Sequence, residues 1–428
     1  MKSIFKKYIP ESWVLAYHKS NAYLAALCYG FPSTKLKVIG ITGTKGKTTS
    51  ANFTWAVLTA CGHKTGLIGT ANIRIGEKEY MNEYHMTMPS PWIIQKLLKQ
   101  MVTSGCKYAV MEVTSEGIKQ HRHLGIDFYV GVFTNISPEH LPSHNNSFEE
   151  YARTKARLFE SLKNETSYMV TNADDSQSKY MSGFSKVPVI TYGIDSGEKR
   201  ALNIEETSTG VTFQIEKLKI HSPILGKFNV YNILPAVIIG LKEGGSATQI
   251  EKGIQNLGGI PGRMEIITKD APCLVIIDYA HEKKSINALL DAAHALKKGD
   301  GKICIIYGAE GGGRDKRKRG EMSEAVSKKA DIGIITIVDP YDDDPKDINN
   351  DIARYAESFG MIKDKNLFVI HDRREAIRFA LTGRTKNDIV LIVGKGAEQS
   401  MILPTGSIPW DDRVVTREIL NELGYGNQ

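Results

Sequence analysis

The segment Gly40-Ile41-Thr42-Gly43-Thr44-Lys45-Gly46-Lys47-Thr48-Thr49 carries residue types that bind polyphosphates, in the spacing G-x-x-G-K-T. Its glycines let the backbone curl until consecutive N–H groups face one anion, and a helix starting just after them adds partial positive charge. Lys47 is placed to reach terminal phosphates and Thr48 to set its hydroxyl on Mg²⁺, while Gly43, Thr44, Gly46 and Thr49 complete the cradle. The longer Walker spacing would need a glycine where Ile41 stands, so this is the shorter form. A turn that merely links strand to helix is the bland alternative. The apolar run before the loop and Gly-Lys-Thr-Thr within it favour a nucleotide.

Such a loop needs a strand behind it and a helix in front. Val38–Ile41 reads as a buried parallel strand and Thr48–Cys61 as a helix that Gly62 can end. Further apolar runs at Tyr108–Val113, Tyr129–Phe133 and Tyr168–Val170 alternate with helical stretches. The expected class is therefore α/β: a P-loop central domain, its mostly parallel sheet covered by helices on both faces, plus a C-terminal Rossmann-like domain. The limits are set at 1–36 (short helical segment), 37–260 and 261–428. Ala201–Ile220 alternates like a hairpin and is expected at an antiparallel edge. After Pro261 the strands are read at Leu274–Ile277, Ile303–Tyr307, Ile332–Ile337, Leu367–Ile370 and Ile389–Val393. A cleft between the second and third regions is the expected active site.

Composition agrees with an enzyme of several domains. The chain has 428 residues, 41% hydrophobic and 24% charged, and a formal charge of +7, which suits anionic substrates and does not by itself argue for nucleic acid. The basic run Arg314–Arg319 lacks interleaved aromatics, so no nucleic-acid partner is expected. Five scattered cysteines suggest neither a zinc site nor a disulfide framework, and a cytoplasmic location is expected. Ile9–Phe31 is too polar to span a membrane; residues 1–31 leave peripheral membrane contact open beside simple packing.

Beyond the loop comes an ordered series: Thr87-Met88-Pro89, Met111-Glu112-Val113-Thr114-Ser115, Phe133-Thr134-Asn135-Ile136, Glu139-His140-Leu141 and Tyr151 through Lys155 to Phe159. Asn172-Ala173-Asp174-Asp175, Gly226-Lys227-Phe228-Asn229 with Asn232, Pro261-Gly262-Arg263, Asp278-Tyr279-Ala280-His281, Gly394-Lys395-Gly396 and Asp411-Asp412-Arg413 follow. Together they resemble the Mur ligase superfamily, and within it the MurE-like UDP-N-acetylmuramoyl-dipeptide ligases, from about Lys37 to Leu423. The resemblance implies an ATP- and Mg²⁺-dependent ligase that turns a peptide carboxylate into an acyl phosphate and joins it to an amino acid's amine. Its implied partners are ATP, a peptidoglycan precursor peptide and a free amino acid.

The resemblance also assigns roles. Glu112 and His140 become metal ligands, joined by Thr48 and by Lys155 once CO₂ has carbamylated it; Lys47, Lys155 and His140 form the catalytic set. Asn229, Asn232, Arg263 and Asp278 fall to ATP. Thr87, Thr114, Ser115 and Arg122 fall to the muramoyl peptide, with Met88 where the family has a second threonine.

Two departures bear on the substrate. Relatives of this type carry an N-terminal UDP-binding domain of about a hundred residues, whereas 36 residues precede Lys37 here. UDP is then held differently, or the acceptor is not UDP-linked. The diaminopimelate signature Asp-Asn-Pro-Arg is replaced by Val338-Asp339-Pro340-Tyr341 and an acidic run containing Asp343. With Glu398 kept, this predicts a basic or neutral amino acid, lysine foremost, over diaminopimelate; a solvated acidic loop is the plain alternative. Competing functions are a folylpolyglutamate-, poly-γ-glutamate- or cyanophycin-type synthetase, an amidating ligase, and a nucleotide-binding scaffold. The sequence leaves the oligomeric state open.

Overall fold

Helix α1 (Glu11–Cys28) opens the described part of the chain. It covers one apolar side with Ala22, Ala25 and Ala26 and leaves Trp13, Tyr17, Leu24 and Leu27 exposed. A computed structural model describes residues 11–84, 86–139, 141–207, 209–267 and 271–425. They form two units, divided mainly at Leu257/Gly258; the short pieces Glu205–Val211 and Pro223–Phe228 go with the second.

In the first unit, strand β1 (Lys37–Thr42) runs parallel between β5 (Tyr108–Val113) and β6 (Phe128–Phe133). It is buried along almost its whole length, so it reads as a continuous apolar run rather than an alternating one. Gly40 is needed there, since a Cβ would sit 2.8 Å from the Phe128 ring. The sheet continues as β2 (Thr65–Ile68), β3 (Asn72–Ile75) and β4 (Lys78–Met81) beyond β5, and as β7 (Tyr168–Asn172), β8 (Val189–Gly193) and β9 (Lys199–Arg200) beyond β6. Helix α2 (Lys47–Ala60) follows the glycine loop. Helices α3 (Pro91–Thr103), α4 (Ser115–Lys119), α5 (Phe148–Glu160), α6 (Ser178–Ser182), α7 (Asn229–Lys242) and α8 (Ala247–Gln255) complete the unit.

The core places Val38, Phe128 and Phe133 of the sheet with Leu98 and Met101 of α3 and Leu158 and Phe159 of α5. At the amino ends of the strands, Lys37, Tyr108, Tyr129 and Tyr168 all donate to Glu243 just past α7. At the opposite ends, chain direction splits about β1. The chain leaves β1 toward β2 on one side and β6 toward β7 on the other, so the connections part and leave the crevice in which a doubly wound sheet binds its ligand.

One expectation needs correcting. The stretch around Ala201–Ile220 forms its own three-stranded sheet, β10 (Leu202–Thr207), β11 (Gly210–Ile215) and β12 (Leu218–Ser222). The antiparallel edge of the large sheet is instead β3–β4. The parallel pair β8–β9 already closes the other side, so that border offers no place for the hairpin.

The second unit is a six-stranded sheet in the order β13 (Glu265–Ile266), β14 (Leu274–Asp278), β18 (Ile389–Val393), β15 (Ile303–Tyr307), β16 (Ile332–Ile335), β17 (Leu367–Val369). All neighbours are parallel except β13. Helices α9 (Lys283–Leu296), α10 (Arg317–Lys329), α11 (Pro345–Ser358), α12 (Arg373–Leu381) and α13 (Asp412–Glu422) surround it, and β19 (Ser400–Leu403) pairs with β20 (Gly406–Pro409). Its core joins Val275, Ile306, Ile334 and Val390 to Ile377 and Ile419.

Candidate active site

The glycine loop lies between β1 and α2, held from the side by the segment after β6. Thr44 N donates to Asn135 O at 2.8 Å, Lys45 N to Asn135 Oδ1 at 2.9 Å, and Thr134 Oγ1 to Lys45 O at 2.7 Å. Gly43 and Gly46 have φ of 153° and 82°. A Cβ on Gly43 would stand 2.0 Å from Thr134 Oγ1, and one on Gly46 would stand 2.1 Å from Asn232 Oδ1. Both glycines are thus required by backbone angle and by close approach. Lys47 Nζ folds back onto Gly43 O (3.0 Å) and Thr44 O (2.9 Å). Those bonds hold the ammonium at the mouth of the loop, where an anion would draw it.

Glu112 is fully buried near the end of β5. Its carboxylate accepts from Thr48 Oγ1 (3.0 Å), Thr70 N (2.6 Å) and Thr70 Oγ1 (2.9 Å). Among the described residues no cation pairs with it. A buried carboxylate in that condition is ordinarily completed by a metal or a proton, and the adjoining Thr48 hydroxyl adds the oxygen donor that Mg²⁺ favours. The donor chemistry therefore fits magnesium. Among the described residues no cluster of three or more His, Cys, Asp or Glu side chains forms a metal centre by itself. His140, expected as a further ligand, lies outside the described residues.

Lys155 projects from α5 to the same loop and donates to Gly43 O at 2.8 Å. It is almost wholly buried, with its ammonium 4.7 Å from the centre of the Tyr151 ring. Burial first, then the nearby charge of Lys47, holds this amine well below the ordinary lysine range. Tyr151 and Thr44 share a hydrogen bond of 3.1 Å, so α5 is tied directly to the phosphate loop.

Of the residues expected to meet the peptide substrate, Thr87 has its Oγ1 2.9 Å from Thr70 Oγ1, whose own side chain reaches Glu112. Thr114 caps α4 by accepting from Gly117 N, and Ser115 is buried at its first turn. Arg122 is bonded to Met88 O and Gln120. Met88 is buried, and a Cβ on Gly117 would lie 2.3 Å from its sulfur; packing replaces the family hydroxyl. Asn229 accepts from Asn232 Nδ2 at 2.8 Å, next to Gly46.

Within the second unit, Asp278 accepts from the amides of Met264 and Ala280, both at 2.8 Å. Arg263 lies over the Tyr279 ring at 4.4 Å. Tyr279 donates to Glu398 at 3.2 Å, and Glu398 pairs with Lys395 at 2.5 Å.

Asp339, expected to meet substrate, has both its oxygens bonded within the unit. It is buried, with one oxygen accepting from Ile402 N (2.8 Å) and the other from Lys395 (2.7 Å). Asp344 caps α11, and Asp343 accepts from Gly312 N. Much of the acidic run thus serves the local backbone.

Some residues here were not singled out from sequence. Thr70 completes the shell of Glu112. His144, buried 5.2 Å from Tyr151, has neither ring nitrogen partnered among the described residues; its signal was a second histidine one helical turn after His140. Glu310 and Arg314 pair at 3.1 Å, with the guanidinium 5.7 Å from the Tyr341 ring. Only the fold brings these near Glu398.

The profile of the Mur ligase middle domain matches residues 41–240, and that of the Mur ligase glutamate ligase domain matches 262–396. A Bacillus cereus protein named UDP-N-acetylmuramoyl-L-alanyl-D-glutamate–2,6-diaminopimelate ligase is 37% identical over 422 residues, covering 96% of this chain and 84% of that one. The chain belongs to the Mur ligase family. Mur ligases form amide bonds at the expense of ATP, and with Mg²⁺, so this chain is an ATP-dependent ligase. A Clostridium acetobutylicum protein of the same name is 37% identical over 414 residues, covering 95% of this chain and 82% of its own length. Among solved structures, a ligase of that name aligns at a TM-score of 0.61 with 28% identity, over 91% of this chain and 79% of that one. Mycobacterium tuberculosis folylpolyglutamate synthase aligns at 0.71 with 18% identity, over 88% and 92%; that likeness shows the fold alone. No helix among the described residues is long and apolar enough to cross a membrane.

Proposed function

We propose that this Mur ligase adds an amino acid to the peptide of a UDP-N-acetylmuramoyl precursor, as the names of its relatives indicate. The observation that carries the proposal is the buried carboxylate of Glu112 bonded to Thr48, beside a loop that ends in Lys47 and is met from α5 by Lys155. Lys47 swings from its two carbonyls to the terminal phosphates and holds them while the peptide carboxylate attacks the γ-phosphorus, the bond to the β-phosphate breaks and ADP leaves with the acyl phosphate formed. Thr87, Ser115 and Arg122 orient the peptide, Arg122 by its guanidinium. The amino acid's amine then attacks the acyl carbon, and phosphate leaves from the tetrahedral intermediate. Magnesium, when bound by Thr48, Glu112 and His140, supplies charge neutralisation at the crowded phosphate oxygens. Asn229 and Asn232 serve the adenine side, and Arg263 and Asp278 the phosphates and ribose.

Lys155 acts in this proposal as a carbamate. Its amine, disfavoured as a cation by burial, adds through nitrogen to the carbon of CO₂ and releases one proton. The resulting anion would add its oxygens to the donors that hold magnesium. Labelled bicarbonate should give a carbamate carbon signal that Lys155→Met abolishes.

For the incoming amino acid, the single cation of Lys395 is shared between Asp339 and Glu398, and the negative charge left over favours an ammonium at Glu398. The Arg314 charge is already engaged by Glu310, and Tyr341 stands where diaminopimelate enzymes carry arginine. Lysine is therefore proposed over diaminopimelate, the substrate in the relatives' names. The test is phosphate release with UDP-muramoyl peptides and each amino acid, with products weighed by mass spectrometry. Release with no murein precursor would reject the proposal in favour of a non-murein ligase, and preference for diaminopimelate would overturn the amino acid assignment alone.

A further inference from the structure

The side of α5 turned away from Lys155 holds a second group of charges. Glu150, Arg153, Thr154 and Arg157 recur at helical spacing and, with Leu15 of α1 and with Lys119 and His121, line a cavity of about 290 Å³. Three permanent cations there face one lining acid. Glu150 is already engaged by Asn145 Nδ2 at 2.8 Å. Arg153 pairs with Glu160 through one nitrogen at 2.8 Å, but its buried Nη1 has no partner among the described residues. Arg157 makes no ion pair among them. Positive charge from Arg157, Lys19 and His18 also converges on His121, adding to the burial that disfavours its protonation.

Set against Glu150 and Glu160, the four cations Lys19, Lys119, Arg153 and Arg157 leave a surplus of two positive charges, which a group with two or more negative charges would balance and a single carboxylate would not. We propose that the pocket binds the phosphate or diphosphate through which the acceptor peptide's sugar is joined to its carrier. This rests on the proposed function, and it places the carrier's anion on the central unit, apart from the phosphate loop. The carrier is a soluble nucleotide or a lipid; the exposed Trp13 and Tyr17 of neighbouring α1 make the second source worth an arm of the test.

The test is calorimetric titration of inorganic pyrophosphate into protein whose phosphate loop is saturated with magnesium-ADP. The wild type should bind, Arg157→Glu should weaken binding at least tenfold with ADP affinity unchanged, and Arg157→Lys should retain most of it. In turnover, Arg157→Glu should raise the acceptor KM about tenfold with little change in kcat or in the KM for ATP. Competition by UDP would support the nucleotide carrier, and competition by vesicles containing phosphatidic acid the lipid carrier. Absence of pyrophosphate binding, binding unaffected by Arg157→Glu, or competition by neither would overturn the proposal. Normal acceptor KM in Arg157→Glu would sink the pocket and spare the function. Pyrophosphate binding without turnover of any murein precursor would do the reverse.

Discussion

Arg373 gives the sharpest quantitative prediction. It and Asp412 are completely buried and joined by two parallel hydrogen bonds of 2.8 and 2.7 Å. The same guanidinium donates to Val393 O at 2.8 Å and to Ile337 O at 3.2 Å. It thereby ties together the two chain segments that lead into Lys395 and Asp339. Arg373→Met keeps an apolar stem but leaves Asp412 as a buried anion whose remaining side-chain donor among the described residues is Trp410 Nε1 at 2.8 Å. Breaking a buried pair from one side costs about 3–5 kcal/mol. For a unit of this size each kcal/mol lowers the melting temperature by about 2–4 °C, so a fall of about 6–20 °C is expected. Calorimetry or circular dichroism of the second unit's transition would measure it. Adding Asp412→Asn removes the stranded charge while keeping an acceptor for Trp410, and should recover a substantial part of the loss. A single mutant melting within about 3 °C of wild type, or a double mutant no better than the single, would refute the reasoning.

Gly46→Ala should reduce ATP-dependent phosphate release by about a hundredfold or more, since left-handed backbone costs an L-residue about 1–2 kcal/mol and the new methyl group meets Asn232; turnover near wild type would show the loop tolerates it. Glu112→Gln should leave folding largely intact but raise the Mg²⁺ needed for half-maximal activity by about tenfold or more; a magnesium titration superimposable on wild type would remove Glu112 from the metal site. His123 is buried, and burial followed by the charges of His121 and Arg157 depresses its pKa to about 4. The unfolded chain takes this proton first, so stability is lost as pH falls from about 6.5 to about 4, by roughly 3 kcal/mol. His123→Leu should flatten that part of the stability–pH curve, and an unchanged slope would contradict the assignment.

The phosphate loop was legible because its demands are local. Glycine angles, the lysine and the threonine hydroxyl all lie within ten consecutive residues, and an apolar strand announces them. The strands of the second unit were legible for a related reason: a strand buried on both faces must be apolar throughout, and Leu274–Ile277, Ile303–Tyr307 and Ile389–Val393 are. Helix starts at Ser147, Ser246, Asp344 and Asp372 are fixed by capping side chains, local signals of the same kind that the reading of the sequence left unused. Strand neighbours were not legible. Alternation in Ala201–Ile220 says that a hairpin forms but not which border accepts it, because pairing depends on which edges are already filled.

The same division runs through the site. Sequence alone determined which side chains exist to bind phosphate and that β1 and α2 must hold them, because adjacent residues and their backbone angles decide that. Tertiary structure alone decided that Thr70 would join Thr48 on Glu112, that Lys155 would lose its water, and that Asp339 would spend its charge on Lys395. Each of those outcomes depends on groups far apart in the chain being brought within bonding distance and stripped of solvent, and neither distance nor solvation is written in residue order.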